Sequence, residues 1–312
     1  MLGSRIDLQI ASRFDGGVTE GQHGAAAAGT VTMGDRTVNR MGFGAMRITG
    51  PGIWGEPRDR AAAVAVLRRA VARGVNFIDT ADAYGPEVSE NLIAEALHPF
   101  EGVVVATKGG LLRRGPGRWR PDCSPAHLRE ACDASLKRLR VDSIDIYQLH
   151  TVDRKVPLED SVGALVELQR AGKVKHIGLS NVNERQLERA RSMAEIVSVQ
   201  NRYNLSDRAS EGVLDVCGRL KIVFLPWYPL ATGRLARSGG ILEAIGGAHN
   251  ISTAQVSLAW LLARSPVMLP IPGTSSLQHL EENIAAAAVV LSDAEMTRID
   301  EIARPQVGRW TS

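Results

Sequence analysis

The sequence predicts an α/β protein, a (β/α)8 TIM barrel with an N-terminal β-hairpin and a C-terminal extra helix. Three observations predict it. Eight short runs rich in β-branched and apolar residues recur, at 41–45, 76–80, 103–108, 144–150, 174–180, 196–200, 222–226 and 267–271. Amphipathic helical segments separate them, the pattern of parallel βα units. No linker and no change of composition divides the series, so one barrel accounts for it better than two domains. The alternative is an open doubly wound sheet. Its phosphate loop is missing, because GFGAMR at 42–47 has Arg47 where a third glycine would stand.

The elements follow in order. Residues 1–29 end in GGVTEGQHGAAAAG, too poor in large apolar groups to order itself, and are expected to be a flexible extension. The barrel domain is expected over 30–312. TVTM, a Gly34-Asp35 turn and RTVNR form the hairpin. The first helix has Pro57 just inside its start and Gly74 after its end, with Val64, Leu67 and Val71 on one face. Ser124 and Pro125 open a helix that runs to Leu139, and Ser252 opens the one carrying Val256, Ala259, Trp260 and Leu262.

Composition bounds the function. The chain has 312 residues, 44% hydrophobic and 23% charged, which is ordinary globular usage and excludes wholesale disorder. Lys plus Arg number 37 against 34 Asp plus Glu, a net charge of +3, and no five like charges stand in a row. Neither a nucleic-acid partner nor a membrane surface is implied. The longest apolar stretches, such as 256–263, fall far short of the ~20 residues of a membrane span. No secretory signal is read at the start. Cys123, Cys132 and Cys217 form no CxxC spacing and are odd in number. They predict reduced thiols in a cytoplasm rather than disulfides or a zinc site, so no metal is expected. The outer helices leave no long apolar stripe for a partner, and a monomer is expected.

In barrels of this kind the chemistry sits at the carboxyl ends of the strands. The second run ends in Asp79-Thr80-Ala81-Asp82-Ala83-Tyr84, the third at Lys108 and the fourth at His150. A carboxylate, a phenol, an ammonium and an imidazole at one face suit proton donation to a carbonyl that receives hydride. A phenol is a poor acid at neutral pH, and a neighbouring ammonium lowers its pKa. Asp79 can hold the Lys108 ammonium, and His150 can orient the carbonyl oxygen by a hydrogen bond. Each also has an ordinary reading: helix cap, solvated lysine, core histidine. Three consecutive strand ends favour the functional one. His98, His127, His176 and His249 lack such company and read as structural.

GVNFIDTADAYG, VVVATKGG, SIDIYQLH, HIGLSNV, SVQNRYN and IPGTSS with HLEEN occur in one order, and together they resemble the aldo-keto reductases, from Thr30 to Ile302. The resemblance implies a catalytic tetrad of Asp79, Tyr84, Lys108 and His150, with Tyr84 as general acid. It also implies a nicotinamide cofactor held without a Rossmann fold. Ala45, Met46 and Asp79 are implied among the residues that bind it, Ser180, Asn181 and Gln200 as partners of its carboxamide, and Trp227 as the ring stacked on it. Pro229 and Leu230 are implied as further cofactor-binding residues, and Thr232, Gly233 and Arg234 lie in a segment that resembles the loop over the pyrophosphate. Gly273, Thr274, Ser275, His279, Glu282 and Asn283 resemble the segment that holds the 2′-phosphate and adenine, where backbone N–H groups suit an anion. Gly273 stands where many members have Lys, and His279 where they have Arg. NADPH is implied as cofactor, with NADH open because a neutral His cannot grip a phosphate as Arg does.

The stretch 42–67 resembles a bacterial branch that includes pyridoxal reductases. Trp54 and Trp119 lie in long loops at the substrate end. In a chain with only 4% aromatics they read as walls for a flat or apolar aldehyde, or as loop anchors. Arg113, Arg114, Arg118 and Arg120 near the mouth read as a solvated loop. The expected activity is NADPH-dependent reduction of a small-molecule aldehyde or ketone, with pyridoxal a candidate. A Schiff-base aldolase using Lys108 and a cofactor-binding regulatory subunit are the alternatives.

Overall fold

The computed structural model describes residues 24–230 and 240–303. Seven parallel strands form one curled sheet: β3 (Phe43–Gly44), β4 (Phe77–Asp79), β5 (Val104–Gly109), β8 (Ile144–Leu149), β9 (Val174–Ser180), β10 (Ile196–Arg202) and β11 (Val223–Trp227). They pair in the spatial order β3-β4-β5-β8-β9-β10-β11. The eighth expected run, 267–271, is not a full strand. It bridges Phe224 to Met268, takes the Phe224 N–H on Val267 O at 2.9 Å, and gives Leu269 N–H back to Phe224 O at 2.9 Å. On its other side Gly42 N–H donates to Pro270 O at 3.0 Å. Backbone hydrogen bonds thus join this run to both edges of the curled sheet.

Alternation along the strands sorts the core. Phe77, Val104, Ala106, Ile146, Val223, Leu225, Leu269 and Ile271 pack together inside the curl. Their neighbours Ile78, Val105, Tyr147 and Phe224 belong to the outer core under the helices. The hairpin of β1 (Thr30–Met33) and β2 (Arg36–Asn39) adds Met33 and Val38 to the inner cluster. Its Gly34 turn has φ +60° and presses on His176, leaving no room for a side chain.

Helices α1 (Arg60–Ala72), α2 (Val88–Leu97), α3 (Pro125–Leu139), α4 (Leu158–Arg170), α5 (Glu184–Arg191), α6 (Glu211–Leu220), α7 (Ile241–His249), α8 (Thr253–Arg264) and α9 (Leu277–Ala285) follow the strands or the runs between them. The extra helix α10 (Asp293–Ala303) ends the described chain. Ser124 caps α3 and Ser252 caps α8, as the sequence indicates. The start of α1 differs: Asp59 is its cap, accepting from Ala62 N–H, and Pro57 lies before the helix. A capping carboxylate satisfies a free helical N–H, which Pro57 at that place does not.

Two further differences concern segments read as unstructured. Residues 24–29, assigned to the extension, carry a 3-10 turn at Ala25–Ala28 with Ala25 buried. Ala25 N–H donates to Arg73 O at 3.0 Å, and Arg40 N–H to Gly29 O at 2.9 Å. Small alanines pack there because the backbone, rather than a large side chain, makes the contact. Residues 1–23 of the expected extension lie outside the described residues. The basic loop after β5 is a second hairpin, β6 (Leu111–Arg113) paired with β7 (Trp119–Pro121). No described helix is long and apolar enough to cross a membrane.

Candidate active site

The inner-facing rows of the strands continue past the apolar plug into polar residues. Phe77 leads to Asp79, Ala106 to Lys108, and Ile146 to Gln148 and His150. Because side chains alternate, each of these polar groups points the same way as the apolar one two residues before it. Tyr84 comes from the turn after β4. The sequence of each strand thereby places its functional group above the core at one end of the sheet.

Lys108 is fully buried. Its Nζ donates to Asp79 Oδ2 at 2.8 Å, to Thr80 O at 2.7 Å and to Tyr84 Oη at 3.4 Å. Gln200 Nε2 donates to the other Asp79 oxygen at 2.7 Å. Both oxygens of Asp79 face donors, the geometry of a carboxylate. Burial pulls the Lys108 pKa down, but Asp79 and Tyr84 outweigh it and leave it above the usual lysine value. Burial pushes Tyr84 up further than Lys108 pulls it down. The expectation that the ammonium leaves the phenol below its ordinary pKa is therefore corrected: the ammonium's effect is present, and desolvation exceeds it. His150 sits edge-on to Tyr84, with ring centroids 5.8 Å apart. Burial and then the Lys108 charge hold it well below the ordinary imidazole pKa, so it is neutral at neutral pH.

Tyr84, His150 and Asp79 open onto a cavity of about 560 Å³. Met46, Ser180, Asn181, Gln200, Trp227, Pro229, Leu230, Gly273, Asn283 and Trp119 line it as well. Asn181 has φ +58° and binds three ways: Nδ2 to His150 O at 3.0 Å and to Ser180 Oγ at 3.1 Å, and Oδ1 from Trp227 Nε1 at 3.0 Å. Its amide thus fixes the Trp227 indole relative to the His150 strand end.

Other expected site residues stand off the wall. Lys108 lies behind Asp79 and Tyr84. Ala45 is buried, with its carbonyl accepting from Ser89 Oγ at 3.2 Å. Trp54 stacks against Arg113, and Ile53 takes its place on the cavity. Thr274 and Ser275 precede Ser276, the cap of α9, and His279 and Glu282 lie within that helix; none of the four lines the cavity. Thr232, Gly233 and Arg234 lie outside the described residues.

Gly44, Arg47, Leu111, Tyr228, Ile271 and Pro272 line the cavity and were not singled out from sequence. Their signal was position alone, at a strand or run end or within three residues past one. Gly273 and Gly44 touch backbone to backbone: a Cβ on Gly273 would come 2.3 Å from Gly44 O. No side chain fits there, whatever charge it carries, and Arg47 Cγ lies 3.6 Å from that point.

A curled parallel sheet that gathers a phenol, an ammonium, a carboxylate and a neutral imidazole at its strand ends belongs to the oxidoreductases that work at a carbonyl or alcohol carbon. The chain is a member of the aldo/keto reductase family, whose model matches residues 40–304. It is 51% identical over 277 residues to an uncharacterised oxidoreductase of Schizosaccharomyces pombe, covering 89% of this chain and 90% of that protein. It is 43% identical over 285 residues to the pyridoxine 4-dehydrogenase of Escherichia coli, covering 89% and 99%. Among solved structures, the aldo/keto reductase from Klebsiella pneumoniae in complex with NADP and acetate superposes with a TM-score of 0.76 at 27% identity, over 89% of this chain and 96% of that one.

Proposed function

We propose that this protein is an NADPH-dependent carbonyl reductase on a (β/α)8 barrel, with Tyr84 as its proton donor. The observation that carries the reading is the contact of Lys108 Nζ with both Asp79 Oδ2 and Tyr84 Oη, at 2.8 and 3.4 Å, beneath a cavity that Tyr84 and His150 share. When bound, the nicotinamide supplies hydride to the carbonyl carbon. The residues fit such a group. Ser180, Asn181 and Gln200 offer hydroxyl and amide partners for a carboxamide, Trp227 offers a flat ring, and Gly44 with Gly273 offers bare backbone along the cavity.

The chain's own chemistry follows. Tyr84 keeps its proton through neutral pH as an ordinary phenol does, and burial raises its pKa further. As negative charge gathers on the carbonyl oxygen, Tyr84 Oη gives it that proton. The phenolate left behind lies against the Lys108 ammonium, which Asp79 holds in place. Neutral His150 can donate a hydrogen bond to the same oxygen and aim it at Tyr84.

A Schiff-base reading of Lys108 is disfavoured. A nucleophilic amine must be neutral and reach substrate, whereas this one is buried, paired and raised in pKa. The likeness to a pyridoxine dehydrogenase and the indole wall at Trp119 support pyridoxal as the carbonyl substrate. The three thiols are buried, unpaired and pushed up to about 12 by burial, which suits a reducing cytoplasm. The test is Tyr84→Phe. It is expected to lose nearly all pyridoxal reduction while binding NADPH with wild-type affinity by calorimetry. Turnover above a tenth of wild type would overturn the assignment.

A further inference from the structure

Three loops meet on one side chain. Arg113, at the end of β6, donates from Nη1 to Ile53 O at 2.7 Å and to Ala83 O at 3.0 Å. Its Nη2 donates to Gly52 O at 3.0 Å and to Gly115 O at 3.3 Å. The guanidinium carbon lies 3.8 Å from the ring centroid of Trp119 and 5.6 Å from that of Trp54. Its buried Nε meets no hydrogen-bond partner among the described residues.

This half-buried arginine is not a freely solvated cation, because its terminal donors are taken up by the chain itself. All its terminal donors go to main-chain oxygens, and its flat face is covered by indole. Ala83 is the residue before Tyr84. Trp119 stands edge-on to Tyr84, 6.5 Å between centroids at 87°, and to His150, 6.4 Å at 71°. One side chain therefore ties the Tyr84 turn and the Trp119 wall into a single unit. Lys cannot replace it, because an ammonium has no plane to stack and no fork to reach carbonyls in two directions.

We propose that Arg113 is a positioning residue that holds the Trp119 indole as the wall for planar, ring-bearing carbonyls and so selects them over small aliphatic ones. Selectivity arises because a planar ring gains dispersion and edge contacts along the indole that a short aliphatic chain lacks. A tilted Trp119 loses them. The inference rests on the reductase reading, but one of its tests does not need turnover.

The variants are Arg113→Lys, Arg113→Met, Trp119→Ala and the Arg113→Met/Trp119→Ala pair. Steady-state kinetics with pyridoxal and with propanal, and calorimetry of pyridoxine on the NADP+ complex, are the readouts. Both Arg113 variants are expected to raise the pyridoxal KM tenfold or more with a much smaller change in kcat, and to weaken pyridoxine binding in parallel. The propanal kcat/KM is expected to fall by a far smaller factor. Trp119→Ala should reproduce the pattern, and the double variant should add little to it. Equal losses for the two aldehydes, an unmoved pyridoxal KM, rescue by Lys, or additive effects in the double variant would each overturn the proposal. Where Arg113→Met does not fold, Arg113→Lys and Trp119→Ala still decide it. A wild-type chain that binds pyridoxine but turns over no carbonyl refutes the reductase reading, and the calorimetry then decides this one.

Discussion

Gln200 on β10 and Asp79 on β4 meet across the cavity, Gln200 Nε2 donating to Asp79 Oδ1 at 2.7 Å. Lys108 holds the other oxygen, so the carboxylate is gripped from both sides of the curled sheet. A buried acceptor stripped of its donor costs about 1–3 kcal/mol. Gln200→Leu is therefore expected to lower the unfolding free energy measured by urea titration by an amount in that range and to reduce turnover as Asp79 loosens. Gln200→Glu places a second carboxyl against Asp79 and should destabilise more at pH 8 than at pH 5, because like charges disfavour joint ionisation. Equal stability of both variants and wild type would show that the contact carries no energy.

The Lys108 ammonium is the principal group that lowers the Tyr84 pKa against burial. Removing it leaves desolvation nearly unopposed, so the pKa rises further. Lys108→Met is expected to cut turnover at least a hundredfold. It should also move the alkaline limb of the reverse, alcohol-oxidising reaction to higher pH. The pH profile of the residual activity checks this, and a limb that stays in place rejects the coupling.

His150 gives the fold a pH dependence with a definite sign. Its folded pKa lies well below the ordinary value of 6.5, because burial disfavours the imidazolium. Below pH ~6.5 the unfolded chain takes up a proton that the folded chain does not. The group's contribution is thus neutral above that pH and destabilising as pH falls through it, by up to about 1.4 kcal/mol per unit. His150→Asn should flatten the difference in stability between pH 7 and pH 5 relative to wild type. Urea titrations at the two pH values measure it.

Much of this site could be read in the sequence because strands write their inner face every second residue. Asp79, Lys108, His150, Ser180 and Gln200 each end an apolar run at the inward parity, and the structure brings all five to one end of the sheet. What could not be read has a common cause in the backbone. Arg113 looked like one of four loop cations because its partners are carbonyl oxygens, which every residue has. Ala25 looked like extension because its tie is an N–H to Arg73 O. The net shift at Tyr84 depends on how fully its hydroxyl is desolvated, which no spacing records. The eighth run makes the expected contacts but only partial strand geometry.

The inner row beneath the cavity offers a sharper test of packing. Register places Lys108, Gln148, Gly178 and Ser198 side by side on β5, β8, β9 and β10. A Cβ on Gly178 would lie 2.4 Å from Ser198 Oγ and 2.9 Å from Gln148 Cγ. Strand backbones on either side block escape, so Gly178→Ala is expected to destabilise by about 1–3 kcal/mol, the usual cost of overpacking. Ser198 Oγ is buried and has no hydrogen-bond partner among the described residues. Ser198→Ala alone should therefore cost little, since the lost hydroxyl satisfied nothing. In the double variant the nearest obstacle is gone, and part of the lost stability should return. The remainder measures the push on Gln148, which neighbours Lys108 and would pass strain to the ammonium. Unfolding free energies from urea titrations of wild type, the two singles and the double give the coupling energy. A double variant no more stable than Gly178→Ala would place the clash elsewhere than at Ser198.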